Sequence, residues 1–269
     1  MPLPIGGEPA CLLAILRMRT LPVSSPWFTR FDARHEGALR VFCFPYAGGN
    51  ATAFRHWLPL LPPDVELWAA TYPGRVPRFA EPAIASMPLL VAALLRELPL
   101  DKPFVLFGHS LGGLVAFELL RALQQRGQRL PQSLFVAATR PPQVESGFGP
   151  ITGAAWSVSQ VKAQLQRLGG TPSAVLQHHE LLDLLMPMLQ ADFALAGHQV
   201  ALDAHSVQVP LFACAGDEDI AVPAAEMAQW APWAAAGFAL QRFAGDHFLL
   251  GNPALPGFLL QTLSDVLLE

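Results

Sequence analysis

The sequence has few cysteines. Three occur in 269 residues, Cys11, Cys43 and Cys214, and no two of them form a CxxC pair. Closely spaced, even-numbered cysteines are typical of disulfide-rich secreted domains and of zinc sites. We therefore expect reduced, buried thiols in a cytoplasmic protein.

The sequence also lacks a long apolar run and an excess of basic residues. No stretch reaches the roughly 18–20 apolar residues of a membrane span. The apolar segment at 10–18 has no basic region before it and no small-residue cleavage site after it, which argues against a signal peptide. A net charge of −4 argues against nucleic-acid binding, which needs a basic face.

Motifs for cofactors and metals are missing as well. No glycine-rich dinucleotide or phosphate loop follows a strand-like run. The sequence His178-His179-Glu180 lacks the spacing of the metal-binding H-E-x-x-H motif. We therefore expect neither a cofactor nor a metal.

What the chain does contain is an alternation of strand-like and helix-like runs. Continuous apolar runs predict buried strands at 40–46, 65–74, 103–109, 133–139, 209–216 and 238–245. Helical periodicity predicts helices at 87–99, 111–127, 224–234 and 255–269. This alternation requires crossover connections, so it predicts an α/β fold with a mostly parallel central sheet flanked by helices.

Two segments depart from this alternation. Residues 1–24 are rich in proline and aperiodic, and we interpret them as a flexible N-terminal extension to a domain at 25–269. Residues 141–207 are helical in character and interrupt the strands. We interpret them as an inserted helical lid.

The segment VLFGHSLGGLVAFELL (105–120) contains a G-x-S-x-G motif between a strand and a helix. In this motif the serine occupies a sharp, strained strand-to-helix turn. Glycines on either side remove the Cβ atoms that would clash there. We therefore predict that Ser110 is a nucleophile, rather than only the N-cap of the helix.

A serine hydroxyl needs a base to become an effective nucleophile. His109 is adjacent, but its side chain should diverge from that of Ser110, so we expect at most a supporting role. His247, in a loop after the last predicted strand, is the better candidate. With an acid between them, the order Ser…Asp…His is that of an α/β-hydrolase.

The acid comes from the loop AGDEDIAVP (215–223), where Asp217, Glu218 and Asp219 compete. The turn begins at Gly216, and we expect the orienting acid at the third residue after it, which is Asp219. Asp217 is the alternative, and Glu218 is expected to face water.

The oxyanion formed during attack needs two N–H donors. The first residue of the predicted helix, Leu111, is expected to supply one. The loop FPYAGG (44–49) follows the first predicted strand, and its glycines allow close backbone approach, so Ala47 is expected to supply the other. We also expect the neighbouring Tyr46 and Phe248 to contact substrate.

The motifs PYAGG (45–49), PGR (73–75), GHSLGG (108–113) and GDHF (245–248) together resemble the type II thioesterases of nonribosomal peptide and polyketide synthesis. The resemblance extends from about residue 25 to the C-terminus. It implies an α/β-hydrolase fold and the triad Ser110, Asp219 and His247, with Ala47 and Leu111 as oxyanion donors.

The resemblance also implies a substrate and a partner. Such enzymes hydrolyse stalled or wrong acyl thioesters on the phosphopantetheine arm of carrier domains. The chain has no arm-attachment motif of the D-S-L type, so it would meet its carrier in trans. We expect a monomer, since a mobile lid and transient carrier docking do not need more. The lid stripe at 181–193 would wall the channel or pack as core, and Arg75 and Arg78 would contact an acidic carrier or lie solvated.

Three other functions are compatible with the residues. A lipid or small-ester hydrolase shares the same nucleophile corner, and an acyltransferase differs only in whether water reaches the acyl-enzyme. A binding protein with a hydrolase fold has no need for an intact triad.

Overall fold

A computed structural model describes residues 25–32, 36–144, 156–201 and 206–267. The strands are β1 (Phe28–Arg30), β2 (Leu39–Phe44), β3 (Val65–Ala70), β4 (Phe104–His109), β5 (Leu134–Ala137), β6 (Leu211–Gly216) and β7 (Phe238–Phe243). They form one sheet in the order β1-β3-β2-β4-β5-β6-β7. β1 runs antiparallel to β3, whereas the other neighbours pair in parallel.

The helices are α1 (Met87–Glu97), α2 (Leu111–Gln125), α3 (Val158–Leu168), α4 (Ser173–Gln177), α5 (His179–Ala196), α6 (Ala224–Met227) and α7 (Ala254–Leu267). Short 3₁₀ helices cover Ala51–Leu60, Ala228–Trp233 and Leu249–Gly251. The α/β fold with a mostly parallel sheet is thus confirmed. The helix predicted at 224–234 is present as α6 followed directly by 3₁₀ geometry from Ala228, where Pro232 has no N–H to donate.

The apolar strands are buried on both faces, as their continuous hydrophobic runs predict. In β2, Phe42 and Phe44 pack with one core cluster that includes α1 and α2 residues. Val41 and Cys43 face the opposite cluster, which includes Trp57 and the buried side of α7. The thiols of Cys43 and Cys214 are free and buried, and burial raises the pKa of both.

The sheet order places a topological switch point between β2 and β4. From β2 the chain moves to β3 on one side, and then returns to form β4 on the other side. Loops that leave the carboxyl ends of two such strands diverge and leave a crevice, where open α/β sheets bind their ligands. The loop after β2 and the turn after β4 therefore frame the expected site.

Helices α3, α4 and α5 lie between β5 and β6 in the chain and have an apolar core of their own. Val161 and Leu165 of α3 pack with Leu182, Met186 and Phe193 of α5. Most of the stripe at 181–193 therefore packs as core. The lid boundaries at 141–207 and the extension at 1–24 stay predictions, since residues 1–24, 145–155 and 202–205 lie outside the described residues. Within the described part of the chain, no helix is long and apolar enough to span a membrane.

Replacement of Gly112 tests the close approach of α2 to β2. A Cβ at Gly112 would overlap the carbonyl groups of Phe44 and Pro45, whereas a Cβ at the exposed Gly257 of α7 would meet no atom within 4 Å. We expect Gly112→Ala to lower the free energy of unfolding by about 1–3 kcal/mol through overpacking. Gly257→Ala should raise it by up to about 1 kcal/mol, because alanine favours helix. Urea denaturation measures both, and equal stabilities would contradict the close packing.

Candidate active site

Ser110 sits at the corner between β4 and α2 with a left-handed backbone. Its φ is 54° and its ψ is −119°, a conformation that a non-glycine residue adopts at a cost of about 1–3 kcal/mol. The surrounding structure holds it there, since its N–H donates to the carbonyl of Ala137 at 2.8 Å. Such strain is common where a fold presents a reactive side chain.

Three glycines let the elements around the corner pack closely. Added Cβ atoms at Gly108 and Gly112 would overlap the backbone of α2 and of the β2 loop, respectively. A Cβ at Gly113 would overlap Thr139, whose hydroxyl lies 3.0 Å from the carbonyl oxygen of Ser110. The corner therefore depends on small residues on each side of it.

His247 lies beside the serine and joins it to an acid. Its Nε2 is 3.0 Å from Ser110 Oγ, and its Nδ1 is 2.9 Å from Asp219 Oδ2. All three come from loops or turns that follow parallel strands, so they meet at one edge of the sheet. Because a carboxylate only accepts, the proton is on Nδ1, and Nε2 is left to accept the serine proton.

The Asp219 carboxylate is buried but well supported. Its Oδ1 accepts hydrogen bonds from the N–H groups of Ala221 at 2.8 Å and Val222 at 2.9 Å. Burial alone would raise the pKa of Asp219, but the hydrogen bond from His247 and these N–H donors outweigh it and hold the pKa below its ordinary value. The group is therefore ionised at neutral pH.

The competing acids of the sequence take other roles. Asp217 is half-exposed and pairs with Arg242 at 2.6 Å. Glu218 is exposed. Asp246, the residue before the histidine, accepts from the N–H of Phe248 at 2.9 Å and so shapes the turn. The choice of Asp219 over its neighbours agrees with this geometry.

The side chain of His109 is hydrogen-bonded to the backbone of His247. Its Nε2 lies 2.7 Å from the carbonyl oxygen of His247, and its ring is fully buried. Since a carbonyl only accepts, Nε2 carries the proton. Burial, together with the nearby His247, lowers the pKa of His109 to about 3. The ring is therefore neutral and supports the loop of His247.

The predicted oxyanion donors lie on both sides of the serine. Leu111 is the first residue of α2, where an N–H has no carbonyl one turn earlier to bind. Ala47 lines a pocket together with Ser110 and His247. The ring centroids of Tyr46 and Phe248 are 5.1 Å apart, and both residues line that same pocket.

Two pockets meet at Ser110, His247 and Leu168. The first is mainly apolar, and its wall includes Leu111, Leu114, Ala138, Ala196 and Val222. The second is formed by the Tyr46 loop, Phe248 and the turn at 169–171 after α3.

The lid contribution to these pockets differs from the expectation. The channel role considered for the stripe at 181–193 is wrong for the two pockets, because that stripe packs inside the lid and against the Ala47 loop. Leu165 and Leu168 of α3 line the pockets instead. The sequence indicates this position of α3 through the glycine pair that follows it, because Gly169 and Gly170 both have a positive φ and line the pocket beside Ser110.

The structure also corrects the expectation for two arginines. Arg75 and Arg78 are buried, so neither is a solvated or carrier-facing charge. Arg75 pairs with Asp192 at 2.6 Å. Arg78 pairs with Glu81 and lies over the ring of Trp27 at 4.0 Å. Both arginines tie the loop after β3 to its surroundings.

The sequence did not indicate one further feature of the site. Ala138, directly after β5, has a φ of 49° and lines the apolar pocket beside Ser110. Alanine gives no warning of a left-handed backbone, whereas glycine or asparagine would have.

Comparison with known proteins places the chain in a family. Residues 39–264 match the family model described as Thioesterase domain. The chain belongs to the thioesterase family. This confirms the resemblance drawn from the sequence motifs, and it makes the protein a hydrolase that acts on thioesters.

Relatives of this thioesterase serve polyketide and nonribosomal peptide pathways. It is 34% identical over 237 residues to Thioesterase PikA5 of Streptomyces venezuelae, covering 85% of this chain and 82% of that protein. The type II thioesterase BorB from the borrelidin biosynthetic cluster superposes with a TM-score of 0.75 at 30% identity, over 90% of this chain and 99% of that one. YbtT, a type II thioesterase from the yersiniabactin pathway, has a TM-score of 0.75 at 27% identity, over 88% and 97%.

Asp219 and Asp217 form a matched pair for testing the acid of this thioesterase. We expect Asp219→Asn to lower kcat by about 10³–10⁴-fold, because the amide no longer holds the histidine tautomer or stabilises the imidazolium. Asp217→Asn should leave kcat within about twofold, since it removes only an exposed ion pair. Steady-state thioester hydrolysis measures both, and the reverse ranking would contradict the geometry.

His109 predicts a pH dependence of stability. The unfolded chain protonates this ring below about pH 6.5, whereas the folded protein resists until about pH 3. The stability due to the neutral ring is therefore complete above pH 6.5 and falls with pH, by up to about 1.4 kcal/mol per unit. Between pH 7.5 and 5.5 the wild type should lose about 1.4 kcal/mol more unfolding free energy than His109→Gln. Equal losses in urea denaturation would show that the ring is not held neutral.

Proposed function

We propose that this thioesterase removes acyl groups from the phosphopantetheine arms of carrier domains that it meets in trans, in nonribosomal peptide or polyketide biosynthesis. Ser110 is the nucleophile, His247 the base and Asp219 the orienting acid. The observation that carries this proposal is the hydrogen-bonded line from Ser110 Oγ through His247 to Asp219, with both pockets opening onto its serine end.

In the first half-reaction, His247 Nε2 takes the Ser110 proton while Oγ attacks the thioester carbonyl carbon. The carbonyl oxygen becomes an oxyanion, which the N–H groups of Ala47 and Leu111 stabilise. The carbon–sulfur bond then breaks, and His247 returns the proton to the departing sulfur. The products are the free thiol of the arm and an acyl ester on Ser110.

In the second half-reaction, water replaces the thiol. His247 takes a proton from the water as it attacks the acyl ester, and Asp219 stabilises the imidazolium formed. The intermediate breaks down when His247 gives the proton to Ser110 Oγ. The released product is the carboxylic acid, and the enzyme is restored.

The two pockets suit the two parts of such a substrate. The apolar walls around Leu114, Ala138 and Val222 favour the acyl group. The second pocket offers Tyr46, Thr171 and the backbone of the 169–170 turn. The phosphopantetheine arm contains amides, which need hydrogen-bond partners of this kind when they leave water.

Further features of the proposal come from the sequence and the relatives. Type II thioesterases such as BorB and YbtT support a stand-alone enzyme. The cytoplasmic location, which is predicted from the cysteines, remains part of this proposal, and so does the monomeric state. So does the assignment of Tyr46 and Phe248 to substrate contact.

The test compares an acetyl-phosphopantetheinyl carrier protein with acetyl-CoA and a free short-chain ester. We expect the carrier thioester to be hydrolysed fastest in kcat/KM, because the carrier protein adds protein–protein contacts that acetyl-CoA and the free ester lack. Ser110→Ala, which removes the nucleophile, should lower the rate by at least about 10³-fold.

Other outcomes would support the alternatives. Rapid turnover of the free ester with an untouched carrier would contradict the proposal and indicate a general esterase. Transfer of the acetyl group to an added alcohol or amine, in preference to water, would indicate an acyltransferase. Absence of any activity that depends on Ser110 would favour a binding protein.

A further inference from the structure

A buried ion pair joins α5 to the loop after β3, and both of its members contact the turn that contains Ala47. Asp192 lies on α5 of the lid, and Arg75 lies in the loop after β3. Arg75 Nη2 is 2.6 Å from Asp192 Oδ1, and the side chains are 4% and 0% exposed. The guanidinium also lies over the ring of Tyr72 at 4.9 Å. Charges this deep in a protein persist only when they are paired and hydrogen-bonded.

The partner of this ion pair is the turn formed by residues 46–49. The N–H of Gly49 donates to the carbonyl of Tyr46 at 2.9 Å, and Gly48 has a φ of +81°. A bond from the fourth residue to the first, with a positive φ at the third, is the geometry of a type II turn. Its second residue is Ala47, which precedes the glycine.

Asp192 selects this form of the turn. Its Oδ2 accepts the N–H of Gly48 at 2.7 Å. A type II turn differs from a type I turn mainly by reversal of its central peptide, which here joins Ala47 to Gly48. Reversal would exchange that N–H for the Ala47 carbonyl oxygen, which the Asp192 carboxylate would repel.

Arg75 binds both Asp192 and the turn that Asp192 contacts. Besides holding the carboxylate, it donates from Nη1 to the carbonyl of Gly49 at 3.0 Å. The turn is therefore bound at two successive residues, at Gly48 by the acid of α5 and at Gly49 by the arginine. The neighbouring side chains of α5 also reach the turn, since a Cβ at Gly48 would lie 3.3 Å from Leu189 and 4.0 Å from Met188.

We propose that Asp192 and Arg75 are positioning residues for the oxyanion donor Ala47, and that they couple the seating of lid helix α5 to the reaction at Ser110. Displacement of α5 withdraws the carboxylate and frees the turn, so the donor is in place only when this helix is seated. The inference rests on the proposed function, because it takes Ala47 as a donor to the oxyanion.

The test uses Asp192→Asn, which keeps the size of the side chain. Gly48 and Arg75 donate to different oxygens of Asp192, and asparagine replaces one of these oxygens with an NH₂ group that can only donate, so one of the two contacts is lost. We expect kcat for acetyl-carrier hydrolysis to fall by at least about tenfold, while KM stays within about twofold. The decrease in kcat should be smaller than the roughly 10²–10³-fold decrease caused by removing an oxyanion donor itself. The inhibition constant of a short alkylboronic acid, whose tetrahedral adduct on Ser110 places an oxygen in the oxyanion position, should rise in parallel.

A matched control and a second variant guard against simple misfolding. Glu81→Gln removes the partner of Arg78, the other buried arginine of the same loop, and should leave kcat and boronate inhibition unchanged. The pair Asp192→Asn and Arg75→Gln restores a neutral, hydrogen-bonding combination. If the two residues act as one unit, the decrease in kcat of the double variant should be no larger than that of the less active single variant.

Several results would overturn the inference. These are an unchanged kcat in folded Asp192→Asn, a loss of kcat without weaker boronate inhibition, or multiplication of the two single losses in the double variant. If Asp192→Asn does not fold, Arg75→Gln and the double variant decide by the same readouts. Parallel assays with an activated acyl ester, which needs Ser110 but no carrier, keep the inference testable if the carrier assignment fails.

Discussion

The close approach of α2 to the ends of β2 and β4 is the constraint on which the rest of the site depends. Ser110 adopts a left-handed backbone there, and Gly108 and Gly112 leave no room for a Cβ. This packing places the side chain of Ser110 at the corner between β4 and α2, next to the first turn of α2. The unfavourable backbone conformation of Ser110 is offset by the hydrophobic burial of the central strands, β2, β4 and β5, rather than by contacts within the site.

The parallel sheet converts separations in sequence into contacts. Ser110, Asp219 and His247 follow three different strands, whose carboxyl ends share one edge. The loop of Ala47 reaches the same edge from the other side of the switch point. Two helices between β5 and β6 also reach the site, since α3 supplies pocket walls and Asp192 of α5 binds the turn that contains Ala47.

How far the sequence predicts the site follows from how local each signal is. Ser110 and His247 carry their signals in adjacent residues, namely the glycines of the turn and the strand before the loop. Asp219 could be preferred over Asp217 from its distance to Gly216. The pairing of Arg75 with Asp192 could not be predicted, because the two residues are 117 positions apart and either charge is equally compatible with solvent.

The elements that the sequence does not predict lack such a local signal. β1 has three residues, too few for a period to appear, and it is ordered by pairing with β3. The 3₁₀ helix at Ala51–Leu60 contains Pro59, which argues against a helix in sequence. The stripe on α5 was compatible with a channel wall and with a core, and only the position of α3 decides between them.

The most direct test of the account is the mass of the enzyme during turnover. After rapid mixing with acetyl-phosphopantetheinyl carrier and acid quench, we predict a covalent acetyl group on the peptide that contains Ser110, and none in Ser110→Ala. Asp219→Asn should form it more slowly, because His247 is then less effective as the base for attack by Ser110. Turnover of the carrier with no acetyl group on Ser110 at any time, or with the group on another residue, would contradict the account.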